Sequence, residues 1–277
     1  MKTKSITITK VNDDSVSSVM EDKIVNESPL QIIVEYGNVN SRQTEDLSVT
    51  MRTQGDDYNL VRGFLFCEGI IKKSSDIVSI KHVTPANILD EDTVLVELSP
   101  EILFNANDKK RNFIASSACG FCGKSINDIE SQTISSINSD IKIYASVLYD
   151  LPASLKSSQG LFSETGGAHA VALVNAKGEI INISEDVGRH NAMDKMVGAM
   201  LTQNALPLKN NIVLFSGRLS YELVQKAAAA GIPMACAIGA PTTLAIELAE
   251  ENNITVVGFL KNKSFNIYCG AERIIHS

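Results

Sequence analysis

Between Ala168 and Leu260 the sequence repeats one pattern: a short apolar run, a break of small or polar residues, then apolar positions at helical spacing. Ala168 to Asn175 and Glu179 to Ser184 flank Ala-Lys-Gly with alternating apolar residues, which reads as a hairpin. Met193, Met196, Val197, Met200 and Leu201 mark one helix face. Ile212 to Phe215, Ile232 to Ile238 and Ile254 to Leu260 read as buried strands, with helices starting near Ser220 and Thr242 between them. Such alternation predicts a largely parallel sheet covered on both faces, because right-handed crossovers put the helices there. The second half is therefore expected to be an α/β domain.

The first half has a different rhythm. Ser5 to Val11, Gln31 to Tyr36, Leu47 to Thr53, Ile77 to Val83 and Thr93 to Leu98 are β-rich, separated by Asn, Asp, Gly and Ser clusters. Gly55-Asp56-Asp57 offers a capping carboxylate ahead of an apolar helix face at Leu60, Val61, Phe64 and Leu65. Arg52, Asp56 and Asp57 are assigned to capping and local pairing. The polar stretch from Asn105 to Asn112 has the composition of a connector, so the domain boundary is placed there or shortly after.

With 277 residues, 44% hydrophobic and 21% charged, the chain can bury a sizeable core. A formal charge of −7, few aromatics and no tryptophan argue against nucleic acid and anionic membrane surfaces as partners. Neither the opening MKTKSITITK nor any later segment has the apolar length of a secretory or membrane-spanning stretch, so a cytoplasmic location is expected. In a chain of this size an odd cysteine count, five, points to reduced thiols with chemical or core roles.

The sharpest chemical feature is Ser117-Ala118-Cys119-Gly120-Phe121-Cys122-Gly123-Lys124. Glycines on each side allow an exposed, mobile loop to present both sulfurs, and Lys124 with a following helix start would favour a thiolate. Zinc half-site, thioredoxin-like dithiol and structural pair are competing readings. A zinc site lacks partners, since Cys67, Cys236 and Cys269 sit in apolar or strand-like contexts, and His169 comes after the cysteines without the glutamate of the deaminase pattern. A thioredoxin-like dithiol would follow the first strand rather than a long β-rich segment. His169 itself reads as a hairpin histidine satisfied by a backbone carbonyl.

In open α/β sheets ligands gather outside the carboxyl ends of the strands. Three loops qualify: Ser216-Gly217-Arg218, Gly239 to Thr243, and Lys261-Asn262-Lys263-Ser264, rich in small residues, hydroxyls and cations that suit a phosphate or dinucleotide. Asp186 to Asn191 adds a helix start whose amides favour an anion, with Arg189 and His190 beside it.

Several separated blocks together resemble the formate dehydrogenase accessory sulfurtransferases, the FdhD/NarQ family. They are Met51 to Asp57, Gly63-Phe64-Leu65, Glu68 to Ile71, Ser117 to Gly123, Thr165 to His169, Glu185 to Ala192, Ser216-Gly217-Arg218 and Ala240-Pro241-Thr242. Departures are small: Gln54 stands where the family has proline, and Ala118 separates the serines from Cys119. The resemblance implies a sulfurtransferase that takes sulfur from a cysteine desulfurase and passes it to molybdenum bound by two molybdopterin guanine dinucleotides, Mo-bis(molybdopterin guanine dinucleotide), for formate dehydrogenase. It implies that Cys119 carries a persulfide, that Cys122 supports or resolves it, and that Phe259, Leu260, Lys261, Asn262, Lys263 and Ser264 contact the cofactor, with Arg189, His190, Ser216 and Arg218 in the same crevice. The implied fold is an N-terminal α+β domain (1–115), a mobile cysteine loop (116–124) and a three-layer, cytidine-deaminase-like α/β domain (125–277), with no protein-bound metal. A homodimer is expected as the commonest assembly. The alternatives are a cofactor-sheltering chaperone without sulfur transfer and a zinc-dependent, deaminase-like hydrolase.

Overall fold

The computed structural model describes residues 1–12, 17–83, 92–104 and 136–276, and the backbone of 114–115. The expected connector and the segment 116–124, with Cys119 and Cys122, lie outside these residues. No helix among the described residues is long and apolar enough to cross a membrane.

β1 (Thr3–Val11) and β2 (Ser17–Val25) form an antiparallel ribbon. β3 (Ser28–Tyr36), β4 (Gln43–Arg52), β5 (Ile77–His82), β6 (Thr93–Leu98) and β7 (Ile114–Ala115) build a five-stranded sheet in the order β5-β6-β3-β4-β7. Alternation puts Leu30, Ile32 and Val34 of β3 and Val94, Val96 and Leu98 of β6 into one core with Leu60, Val61 and Leu65 of α1 (Asp57–Cys67).

β8 (Ile143–Tyr144), α2 (Ala145–Ser158) and α3 (Gly160–Thr165) lead into β9 (His169–Asn175) and β10 (Ile180–Asp186). Then follow α4 (Arg189–Thr202), β11 (Asn211–Phe215), α5 (Tyr221–Ala229), β12 (Met234–Ala237), α6 (Thr243–Glu251), β13 (Thr255–Lys261), β14 (Ser264–Cys269) and β15 (Ile274–Ile275). The six-stranded sheet runs β10-β9-β11-β12-β13-β14. Its strands split by period two: Ala170, Ala172, Val174, Ile212 and Leu214 pack under Leu148, Leu151 and Leu155 of α2. Val171, Leu173, Val213 and Phe215 pack against Met193 and Met196 of α4 and Leu223 and Val224 of α5. Helices thus cover both faces, and each fully buried leucine contributes about 2 kcal/mol relative to exposure.

The sheet is mixed rather than largely parallel. Only β11–β12 and β12–β13 are parallel, while β10–β9, β9–β11 and β13–β14 are antiparallel. The physical reason is connection length: helices link β11 to β12 and β12 to β13, but short turns join β9 to β10 and β13 to β14, and a short turn reverses the chain.

The two sheets are tied together where α1 crosses α4. A Cβ on Gly63 would lie 1.9 Å from the Asp194 carbonyl oxygen, and one on Gly198 1.9 Å from that of Asn59. Only glycine admits this approach.

Candidate functional site

The ends of β9, β11, β12 and β13 meet at one edge of the larger sheet. Because β9 runs antiparallel to β11, its first residue His169 lies beside the carboxyl end of β11. Backbone hydrogen bonds knit the loops together: Gly239 donates to Gly217, Phe259 to Gly239, Leu219 to Ala240 and Thr242 to Leu219. The approach is tight, since a Cβ on Gly239 would sit 2.9 Å from the Gly217 carbonyl oxygen. Ser216-Gly217-Arg218 and the Gly239 loop therefore lie side by side at the strand ends.

Phe259 is the most unusual residue here. Its φ is +52°, in the left-handed region, while the residue is 43% exposed. Among the described residues the other positive-φ non-glycine positions, Asp56, Asn204 and Asn253, are of types that tolerate this region. An aromatic held there costs on the order of 1–3 kcal/mol, a pattern associated with functional sites. Lys261, Asn262, Lys263 and Ser264 follow as an exposed turn between β13 and β14. Leu260 differs: it is 1% exposed and packs in the α2-side core, leaving only its backbone for a ligand. Arg218 is exposed and Arg189 half-buried.

The start of α4 holds an anion of its own. Asp186 is fully buried, and its carboxylate accepts from the Gly188 amide at 2.8 Å, from Thr53 N–H at 3.1 Å and from Lys195 Nζ at 2.7 Å. This internal carboxylate takes the Gly188 amide immediately ahead of the helix. Asn191 donates to Met51 O and Lys195 to Thr53 O, so the same network fastens β4 to α4. His190 is likewise engaged, its Nε2 lying 3.0 Å from Glu222 Oε2 and 3.2 Å from Ser220 Oγ. Arg52 pairs with Asp57 and Asp92 as buried local structure, in keeping with the assignment from sequence. Asp56 starts α1 without a side-chain cap, its carboxylate accepting from Asn59 instead.

His169 departs from its expected role. No carbonyl satisfies its ring among the described residues; it packs against Gly217 and, with Ser216, lines a cavity of about 520 Å³. Burial, reinforced by the charges of Arg189 and His190, holds its pKa below the usual value of about 6.5, so the ring is neutral at physiological pH. An NMR titration of the His169 Cε1 proton should give a midpoint below 6.5. In Arg189→Gln the midpoint should rise without reaching the free value, because burial is the larger cause; an unmoved midpoint would show that the guanidinium charge does not reach the ring.

Against known proteins, the FdhD/NarQ family matches residues 25–275. The chain is 41% identical over 261 residues to a sulfur carrier protein FdhD of Saccharolobus solfataricus, covering 94% of each chain. It is 40% identical over 273 residues to one of Streptomyces coelicolor, covering 96% of this chain and 94% of that one. A crystal structure described as a formate dehydrogenase accessory protein, from Desulfotalea psychrophila, superimposes with a TM-score of 0.75 at 24% identity. It covers 99% of this chain and 100% of that one, and this likeness carries the fold. By the family match and these relatives, the chain belongs to the FdhD/NarQ family.

Proposed function

We propose that this protein is a sulfur carrier that receives sulfur from a cysteine desulfurase as a persulfide on Cys119. It hands that sulfur to molybdenum in Mo-bis(molybdopterin guanine dinucleotide), its substrate, for use by formate dehydrogenase. The observation that carries the assignment is the state of the other cysteines. Cys67 and Cys236 are buried and burial pushes both thiols up, that of Cys236 to about 12. Cys269 is pushed up as well, and its thiol donates to the Ile254 carbonyl. A thiolate is the nucleophile in sulfur exchange, so none of the three suits the task. Of the five cysteines, Cys119 and Cys122 remain.

The Cys119 thiolate would attack the terminal sulfur of the desulfurase persulfide. One S–S bond forms, the old one breaks, and the desulfurase thiolate leaves without net oxidation. The exposed cations Arg218, Lys261 and Lys263, on loops whose backbones are linked through Gly217, Gly239 and Phe259, support binding of an anionic dinucleotide. On the same reading the second half is cytidine-deaminase-like, which the helix-covered mixed sheet supports, and the protein works in the cytoplasm as a homodimer.

The test is incubation with a cysteine desulfurase and cysteine, followed by intact-mass and peptide analysis. A gain of one sulfur on the Cys119 peptide is expected. Absence of any added sulfur, or its appearance on Cys67, Cys236 or Cys269, overturns the assignment.

A further inference from the structure

The β1–β2 ribbon stands apart from both larger sheets. Its strands pair with each other from Thr3 with Val25 to Val11 with Ser17 and, among the described residues, with no other strand. The ribbon is fastened to α3 near its base: Lys23 Nζ lies 3.4 Å from Glu164 Oε2, and a Cβ on Gly167 would come within 2.7 Å of the Val25 side chain. Side chains alternate between the faces of a strand, so Met20 and Ile24 lie on the face opposite Lys23 and Val25. Ile6 and Ile8 of β1 share that face, with Ile8 directly across from Met20. None of the four joins the three apolar cores formed by the described residues, and Met20 and Ile24 are 43% and 38% exposed. An isolated two-stranded ribbon is marginally stable, and its open edges are templates for a further strand.

The order of residues in β2 says which strand fits. Val19-Met20-Glu21-Asp22-Lys23-Ile24-Val25 has the same chemical pattern in both directions: two apolar residues, a charge, Asp22, the opposite charge, two apolar residues. Laid antiparallel on a second β2 about a two-fold axis at Asp22, Val19 faces Val25, Met20 faces Ile24 and Glu21 faces Lys23. Symmetry makes each of these contacts twice, and apolar and opposite-charge pairs across strands are the stabilising kinds. β1 lacks this property, since the same operation about Thr7 would set Lys4 against Lys10. The one mismatch in β2 is Asp22, which would face its own copy.

We propose that two copies of this chain join their β2 edges antiparallel about a two-fold axis at Asp22, turning two ribbons into one four-stranded sheet. The proposal rests on the homodimer reading above and deepens it by naming the surface.

Analytical ultracentrifugation of the full chain across a concentration series tests it. The wild-type chain is expected to dimerise. Glu21→Lys and Lys23→Glu should each weaken the dimer by about tenfold or more, because each sets like charges opposite one another at two symmetric places. An equimolar mixture of the two variants should recover wild-type strength as a heterodimer, since every Lys then faces a Glu, and this recovery also shows that both variants fold. Asp22→Asn should tighten the dimer by removing the repulsion at the axis. A chain that stays monomeric at every concentration overturns this interface and the homodimer together. A dimer of unchanged strength in both charge variants keeps the homodimer and overturns the β2 interface. A mixture that does not recover, or a dimer loosened by Asp22→Asn, overturns the axis at Asp22.

Discussion

In Cys119→Ser, persulfide loading should fall to background and formate dehydrogenase activation with it, by on the order of a thousandfold, as when other nucleophiles are removed. A serine hydroxyl is neither ionised at neutral pH nor able to accept a sulfane sulfur by thiol exchange. Rescue from within the described part of the chain is closed off, since burial raises the thiols of Cys67, Cys236 and Cys269. Cys122→Ser should retain loading within about threefold, because a second thiol can only intercept the persulfide as a disulfide and release sulfide. Loading by intact mass and formate-dependent dye reduction by the matured dehydrogenase read the two steps apart. Full loading in the Cys119 variant would move the carrier to Cys122, and full activation in it would remove sulfur transfer from the function altogether.

Burial patterns decided what could be read from the amino acids. Strands β9, β11, β12 and β13 lie between helices, so they are continuous apolar runs, visible as such. β2 leaves no signature in the sequence because Ser17–Val25 is exposed along nearly its whole length and carries no alternation. α2 was hidden by Pro152 and its serines, and it stands on the packing of Leu148, Leu151 and Leu155 rather than on propensity. At the site, the loops with glycine and cations were legible because ligand crevices follow strand ends. What no local pattern shows is where partners sit. Asp186 meets Thr53 across 133 residues of sequence, His190 finds Glu222 on another helix, and Gln159 lines a cavity with Lys156 of α2, His169 of β9 and Ser216 after β11. The hairpin position of His169 suggests a backbone partner, whereas the ring lies against Gly217 and beside Ser216, both distant in sequence.

The α1–α4 crossing carries the other large effect. In Gly198→Ala the new methyl would meet the Asn59 backbone at 1.9 Å, and in Gly63→Ala the Asp194 backbone at the same distance. No side-chain rotation relieves a clash with backbone, so the helices must separate. Separation would also strain the hydrogen bonds of Asn191 to Met51 and of Lys195 to Thr53, which cross the same junction. Lys195 and Asp186 are each almost fully buried, so loosening their surroundings exposes a pair whose partners are hard to replace. Each substitution should cost about 3 kcal/mol, the upper part of the usual range for overpacking, which corresponds to a Tm lower by roughly 6–12 °C. Gly160→Ala is the matched control: its Cβ would come no closer than 4.0 Å, to a Glu185 carboxylate oxygen, and stability should change by less than about 0.5 kcal/mol. Thermal and urea unfolding of the three variants decide the matter. Were Gly198→Ala as stable as the control, the two helices would not be in backbone contact, and side-chain contacts such as the Asp186 network would hold the two sheets together.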